Sequence, residues 1–169
     1  MKKLRSLSVL VIPIIVLVLF TCCQPIDNSG SGSFTYDGTT YPLTNGALEN
    51  WGRGDFDVLL ASSGLNAVLW EGIGNVVWFD LVAPSTIGAP GTYDWAGTDG
   101  FTLWDGGISF NFNADTDTGT WIYADRSGAA SEDYVTLSVN GSTYTIEFSV
   151  TLVGGKIVTG SYTGSMPVV

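Results

Sequence analysis

The chain contains no histidine, and its only two cysteines, Cys22 and Cys23, are neighbours. Without imidazole there is no Ser-His-Asp or Cys-His nucleophile and no His-ligated metal. Adjacent Cα atoms lie about 3.8 Å apart, closer than ordinary disulfide geometry allows. No disulfide therefore staples the rest of the chain. Positive charge is equally scarce. After Cys22 only Arg53, Arg126 and Lys156 face all sixteen acidic residues. That balance excludes nucleic acid as a partner, which requires a basic footprint. It also excludes docking through anionic lipid head groups. Lys156 lies beside an expected hairpin tip, where nothing holds it against a nucleophile, so a Ser-Lys dyad is excluded. Long apolar runs are missing as well. The longest, Leu7 to Phe20, is interrupted by Ser8 and Pro13 and falls short of the roughly 20 residues that span a bilayer.

What is present begins with the leader. Met1-Lys2-Lys3-Leu4-Arg5 followed by that short apolar run has the plan of a bacterial export signal. Leu19-Phe20-Thr21-Cys22 resembles the lipobox of bacterial lipoproteins, with Cys22 as the acylated residue and Cys23 as the alternative. The resemblance implies a signal peptide over 1–21 and a lipidated cysteine with a flexible linker over 22–32. The Gly/Ser-rich composition of Gln24–Ser33 suits such a linker. The membrane partner is then reached through acyl chains, two or more of which give a stable anchor. The expected location is the bacterial cell envelope, at the outer membrane or cell surface or on a periplasmic face.

Residues 33–169 form one expected domain, long enough to bury a core unaided. After residue 33 the pattern is that of strands, with no helical period. Phe34 to Leu43 reads as a hairpin around Asp37-Gly38, a favoured type I′ pair. It sets Tyr36 opposite Thr39 and Phe34 opposite Tyr41. Pro42 lacks an N–H, which predicts a place at a sheet edge. Asn75–Ala83 reads as a strand buried on both faces, and Ile108, Phe110 and Phe112 as the buried side of a half-buried strand. Asn140-Gly141 predicts a second hairpin with Leu137 opposite Tyr144 and Val135 opposite Ile146. For the last hairpin, matching apolar faces predicts a three-residue loop, Gly154–Lys156, with Phe148 opposite Tyr162. The expected fold is all-β, an antiparallel β-sandwich or barrel-like sandwich of roughly nine to eleven strands.

Tyr36-Asp37-Gly38, Tyr41, Leu43, Gly91-Thr92-Tyr93, Tyr144-Thr145-Ile146-Glu147-Phe148, Gly155-Lys156 and Gly160-Ser161-Tyr162 are spread along the domain. Together they resemble a set of small surface lipoproteins with all-β domains, frequent in Bacteroidetes. The resemblance implies fold and location, and it carries no catalytic residue to this chain.

Three kinds of chemistry remain to be weighed. Paired carboxylates alone suffice for glycoside hydrolysis, and Asp80 and Glu147 lie within strands. Asn113, Asp115 and Asp117 alternate like oxygen ligands of a calcium loop, although Gly119 and Ala124 stand where an EF-hand pattern requires otherwise. The alternative is a polar hairpin turn. Trp95 and Trp104 flank the Gly- and Asp-rich segment 96–107 and are candidate sugar-stacking residues on a loop platform; the alternative, which the usual burial of large aromatics favours, is core or loop packing. Trp78 and Trp121, inside strands, read as core. The expectation is a lipid-anchored, non-catalytic binding or structural protein with a glycan or a surface protein as partner. The alternative is a carbohydrate-binding module, followed by a carboxylate glycoside hydrolase. No cofactor is expected beyond a candidate Ca2+.

Overall fold

The computed structural model describes residues 27–127 and 132–169. The leader and both candidate acylation sites, Cys22 and Cys23, lie outside the described residues.

Among the described residues eleven strands follow in order: β1 Ser29–Tyr36, β2 Thr39–Gly52, β3 Asp55–Ala61, β4 Leu65–Asn66, β5 Glu71–Val82, β6 Gly91–Tyr93, β7 Thr102–Asn113, β8 Thr118–Tyr123, β9 Tyr134–Asn140, β10 Thr143–Thr151 and β11 Ile157–Ser165. Among the described residues the only helical turn is 3₁₀, at Thr98–Gly100. The strands form one antiparallel sheet in the order β6-β9-β10-β11-β1-β2-β3-β5-β7-β8, with β4 attached to β5. The sheet does not close into a barrel. It folds over on itself, so that Phe79 of β5 packs on Phe148 of β10 at 5.0 Å between ring centres. Phe34 of β1 and Phe110 of β7 meet at 6.1 Å. The inner faces of both halves share one core, including Phe56, Leu60, Val77, Leu103, Ile146 and Tyr162. Burying each such side chain contributes roughly 1.5–3 kcal/mol.

The first hairpin has the expected register, with Tyr36 opposite Thr39 and Phe34 opposite Tyr41. Its position differs from expectation. β1 pairs with β11 as well as β2, so the hairpin lies in the middle of the sheet. Pro42 is tolerated there because the β2–β3 ladder starts only at Asn45. The first strand also starts at Ser29, inside the stretch read as linker. Its glycines serve close approach: a Cβ on Gly30 would collide with the Tyr162 hydroxyl.

Both later hairpins keep their faces and shift by two residues. Leu137 is opposite Ile146, with Gly141 and Ser142 as the loop. Ile146, in turn, is opposite Tyr162, and Thr151 opposite Ile157 closes a five-residue loop. The cause in the last hairpin is visible. Leu152 leaves β10 to bridge Ala124, and the Val153 N–H donates to the Tyr123 carbonyl at 2.8 Å. A shift of two preserves every inward and outward assignment.

Candidate functional site

The outer face of β2, β3, β5 and β7 carries a second buried cluster: Ala47, Leu59, Ala61, Leu65, Ala67, Val76 and Phe112. Phe112 joins it instead of the inner core because Asn111, at φ 50°, breaks the strand's alternation between Phe110 and Asn113. The segment 62–70 covers this face and is tied down by asparagines. Asn45 Nδ2 donates to the Leu65 carbonyl at 2.9 Å, and Asn45 Oδ1 accepts the Ala67 N–H at 2.9 Å. Asn66 Oδ1 accepts the Val68 N–H at 2.9 Å. At its end Trp70 sits at φ 53°. A left-handed backbone is unfavourable for a bulky residue, and strain of this kind, about 1–3 kcal/mol, gathers at functional sites.

Trp70 lines a groove of about 340 Å³ with Trp78, Trp121, Leu59, Ala67, Val68, Glu49 and Asp57. Trp78 and Trp121, read from sequence as core, are half-buried on the outer face. Their rings meet edge to face at 82° and 6.5 Å. Gly107 lies directly across from Trp78 on β7; a Cβ there would collide with the Ile122 carbonyl at 2.6 Å and crowd Trp78 Nε1 at 3.3 Å. Beyond Trp121 the groove runs into a second depression lined by Trp78, Asp117, Trp121 and Tyr123. The rings of Trp121 and Tyr123 are nearly parallel there, at 19°.

Beside the aromatics runs a row of carboxylates. Glu49 is opposite Asp57, Asp57 opposite Asp80 and Asp80 opposite Asp105, across four adjacent strands. Directly opposed residues in antiparallel strands have Cα atoms about 4.5–5.5 Å apart, and like charges so placed repel. Asp57 is pushed up to about 6, first by burial, with Trp51 pulling the other way and Asp80, Glu49 and Asp55 adding repulsion. Asp80 is also pushed up to about 6, by burial and then by Asp55 and Asp105. Among the described residues, Asp80 Oδ1 and Trp78 Nε1 are buried without a hydrogen-bond partner, which costs about 1–3 kcal/mol each.

The other candidates are placed differently. Trp95 packs against the inner core, and its indole N–H donates to Asp133 Oδ2 at 3.0 Å. Asp133 Oδ1 in turn accepts from the Thr151 N–H and hydroxyl. Trp95 therefore pins a loop. Trp104 is 52% exposed, with the Arg126 guanidinium 4.4 Å from its ring centre. Asn113 Oδ1 accepts the Asp115 N–H at 3.0 Å and closes its own turn. Asp115 lines a polar cavity with Glu71 and Asn28, whereas Asp117 lines the aromatic depression. The loop's oxygens are thus divided between two sites, and among the described residues no group of three or more acidic, His or Cys side chains could hold a metal. Asp80 and Glu147 lie on β5 and β10, with β11, β1, β2 and β3 between them.

One signal in the sequence pointed to the groove. Val77, Phe79 and Leu81 share one parity, which leaves Trp78 and Asp80 on the other face of β5. No protein-family model matches this chain, no curated protein matches it, and no solved structure matches it.

Proposed function

We propose that the domain is a non-catalytic carbohydrate-binding module, held at the bacterial cell envelope by acylation at Cys22. The observation that carries the binding reading is the groove of Trp70, Trp78 and Trp121 with Asp57 and Glu49 in its wall. Ligand sites are concave, mainly apolar and aromatic, with a few polar groups that orient the ligand. A pyranose has an apolar face that stacks on indole and equatorial hydroxyls that donate to carboxylates. The adjoining depression beside Tyr123 extends the surface beyond one sugar ring.

A glycan array probed with the whole protein tests this. Binding to a set of hexose or hexosamine polymers, weakened at least tenfold in Trp121→Ala, is the expected result. An array with no binding overturns it.

A second reading, glycoside hydrolysis, has one observation in its favour. Asp57 and Asp80 are directly opposed, and two carboxyls flanking a glycosidic bond can supply acid and base. It ranks second because Asp57, and not Asp80, lines the groove. Release of reducing ends from a bound glycan, lost in Asp80→Asn, would raise it to first.

A further inference from the structure

We infer that the groove takes sugar units bearing a protonated amine, that is, deacetylated hexosamine residues, with the ammonium seated against Asp57 and Glu49. The inference rests on the sugar-binding reading and adds a charge to the ligand.

The argument is charge complementarity. Among the described residues, the charged side chains that line the groove, Glu49 and Asp57, are both acidic, and the row beside it continues the same sign. β2 contributes Glu49, β3 Asp55 and Asp57, β5 Asp80 and β7 Asp105. The β7–β8 turn adds Asp117. Basic side chains among the described residues are engaged or placed elsewhere. Lys156 pairs with Asp37, Arg126 covers Trp104, and Arg53 lies in the β2–β3 turn and does not line the groove. None of the row's carboxylates makes an ion pair among the described residues. The fold thus holds like charges across three successive strand pairs, an unfavourable arrangement. Half-burial has raised Asp57 and Asp80 further.

A neutral sugar can satisfy hydrogen bonds there and leaves the repulsion in place. A uronic acid adds to it. An ammonium relieves it, and it also gains from the indole faces. Trp78 and Trp121 stand as two walls at 82°, and a cation within about 6 Å of a ring centre is attracted to the ring face.

Three short oligomers decide the matter by calorimetric titration of the whole protein at near-neutral pH: glucosamine, N-acetylglucosamine and galacturonate. The expected order is glucosamine about tenfold tighter than N-acetylglucosamine, with galacturonate not binding. The preference should decline as pH falls through about 6, where Asp57 gains its proton. Glu49→Gln with Asp57→Asn should remove the preference, so that the amine and its acetylated form bind with equal affinity, whatever both lose with the carboxylates as hydroxyl acceptors. Glu49→Gln alone is a milder variant, and each variant's thermal unfolding shows that it is folded. Asp99→Asn, on the 3₁₀ turn, should change nothing.

Equal affinity for the amine and its acetylated form overturns the inference and leaves the sugar reading intact. A preference that survives in the double variant overturns it too, since attraction to the net negative chain would then be the cause. No binding of any oligomer removes both.

Discussion

The outer surface of the sheet has two halves built to different rules. Over β9, β10, β11, β1 and the start of β2, the outward side chains are mostly hydroxyls. Thr145 is opposite Thr163 and Thr35 opposite Thr40, and Thr136 lies opposite Thr92. Each of these pairs shares a hydrogen bond, at 3.2, 2.9 and 3.1 Å. Over β3, β5 and β7 the outward side chains are tryptophans, small apolar residues and opposed carboxylates. The first half is a solvated face in which neighbours satisfy one another. The second contains strain, repulsion and orphaned polar atoms. Local preferences and global fold agree in the first half and conflict in the second, and such conflicts gather at functional sites.

The largest effect that would sharpen this contrast lies in the second cluster. Phe112 is fully buried on the outer face, against Trp70 at 5.0 Å and Trp121 at 5.1 Å. Phe112→Ala should cost about 3–5 kcal/mol in urea unfolding. It should also loosen both tryptophans, seen as a shift in their fluorescence before the main transition. A loss under about 1 kcal/mol would mean that the outer cluster is not a core and that the two faces are alike.

How far the sequence foretold this follows the same division. The Asp37-Gly38 turn and its flanking aromatics were enough to set the first hairpin. In the two later hairpins only the faces were determined, because apolar matching senses parity and a slip of two residues keeps it. The aromatic groove was hidden for another reason. Val76 and Val77 are both buried, one outside and one inside, so the alternation from Val77 to Leu81 is masked at its start and Trp78 looks like core. What exposes its face to a groove is the fold of residues 62–70 across the sheet, a contact set by Asn45 and Asn66. The carboxylate row depends on three registers at once, none of which a single strand reveals. For Trp95 the sequence left loop packing and sugar stacking both open, because its partner, Asp133, is 38 positions away in the chain.

The next effect is electrostatic and has the opposite sign. A carboxyl raised in the folded state from 3.8 to about 6 holds its proton more tightly when folded. Between those values the native state binds more protons than the unfolded state, so stability falls as pH rises. The cost is complete above about 6 and absent below the unfolded value. Asp80→Asn should therefore stabilise the protein at pH 7–8 by a few tenths to about 1 kcal/mol, the range for opposed charges discounted for exposure. The gain should vanish near pH 4, where the native carboxyl is already neutral. Melting curves at the two pH values read the difference directly. Destabilisation at high pH would show that the row is not in mutual repulsion.

The smallest effect belongs to the hydroxyl half. Thr145 and Thr163 are directly opposed, and their hydroxyls bond each other at 3.2 Å where water competes for both. Replacing both by valine removes donor and acceptor together, so no polar atom is left orphaned. The β-branched shape that suits a strand is kept. The double variant should stay within about 0.5 kcal/mol of the parent, and glycan binding should be unchanged because the groove lies on the other half. A single Thr145→Val leaves Thr163 able to turn to solvent and should behave the same. If either variant weakened glycan binding, the ligand surface would extend onto the hydroxyl face, and the division of labour between the halves would fail at the point where it looks simplest.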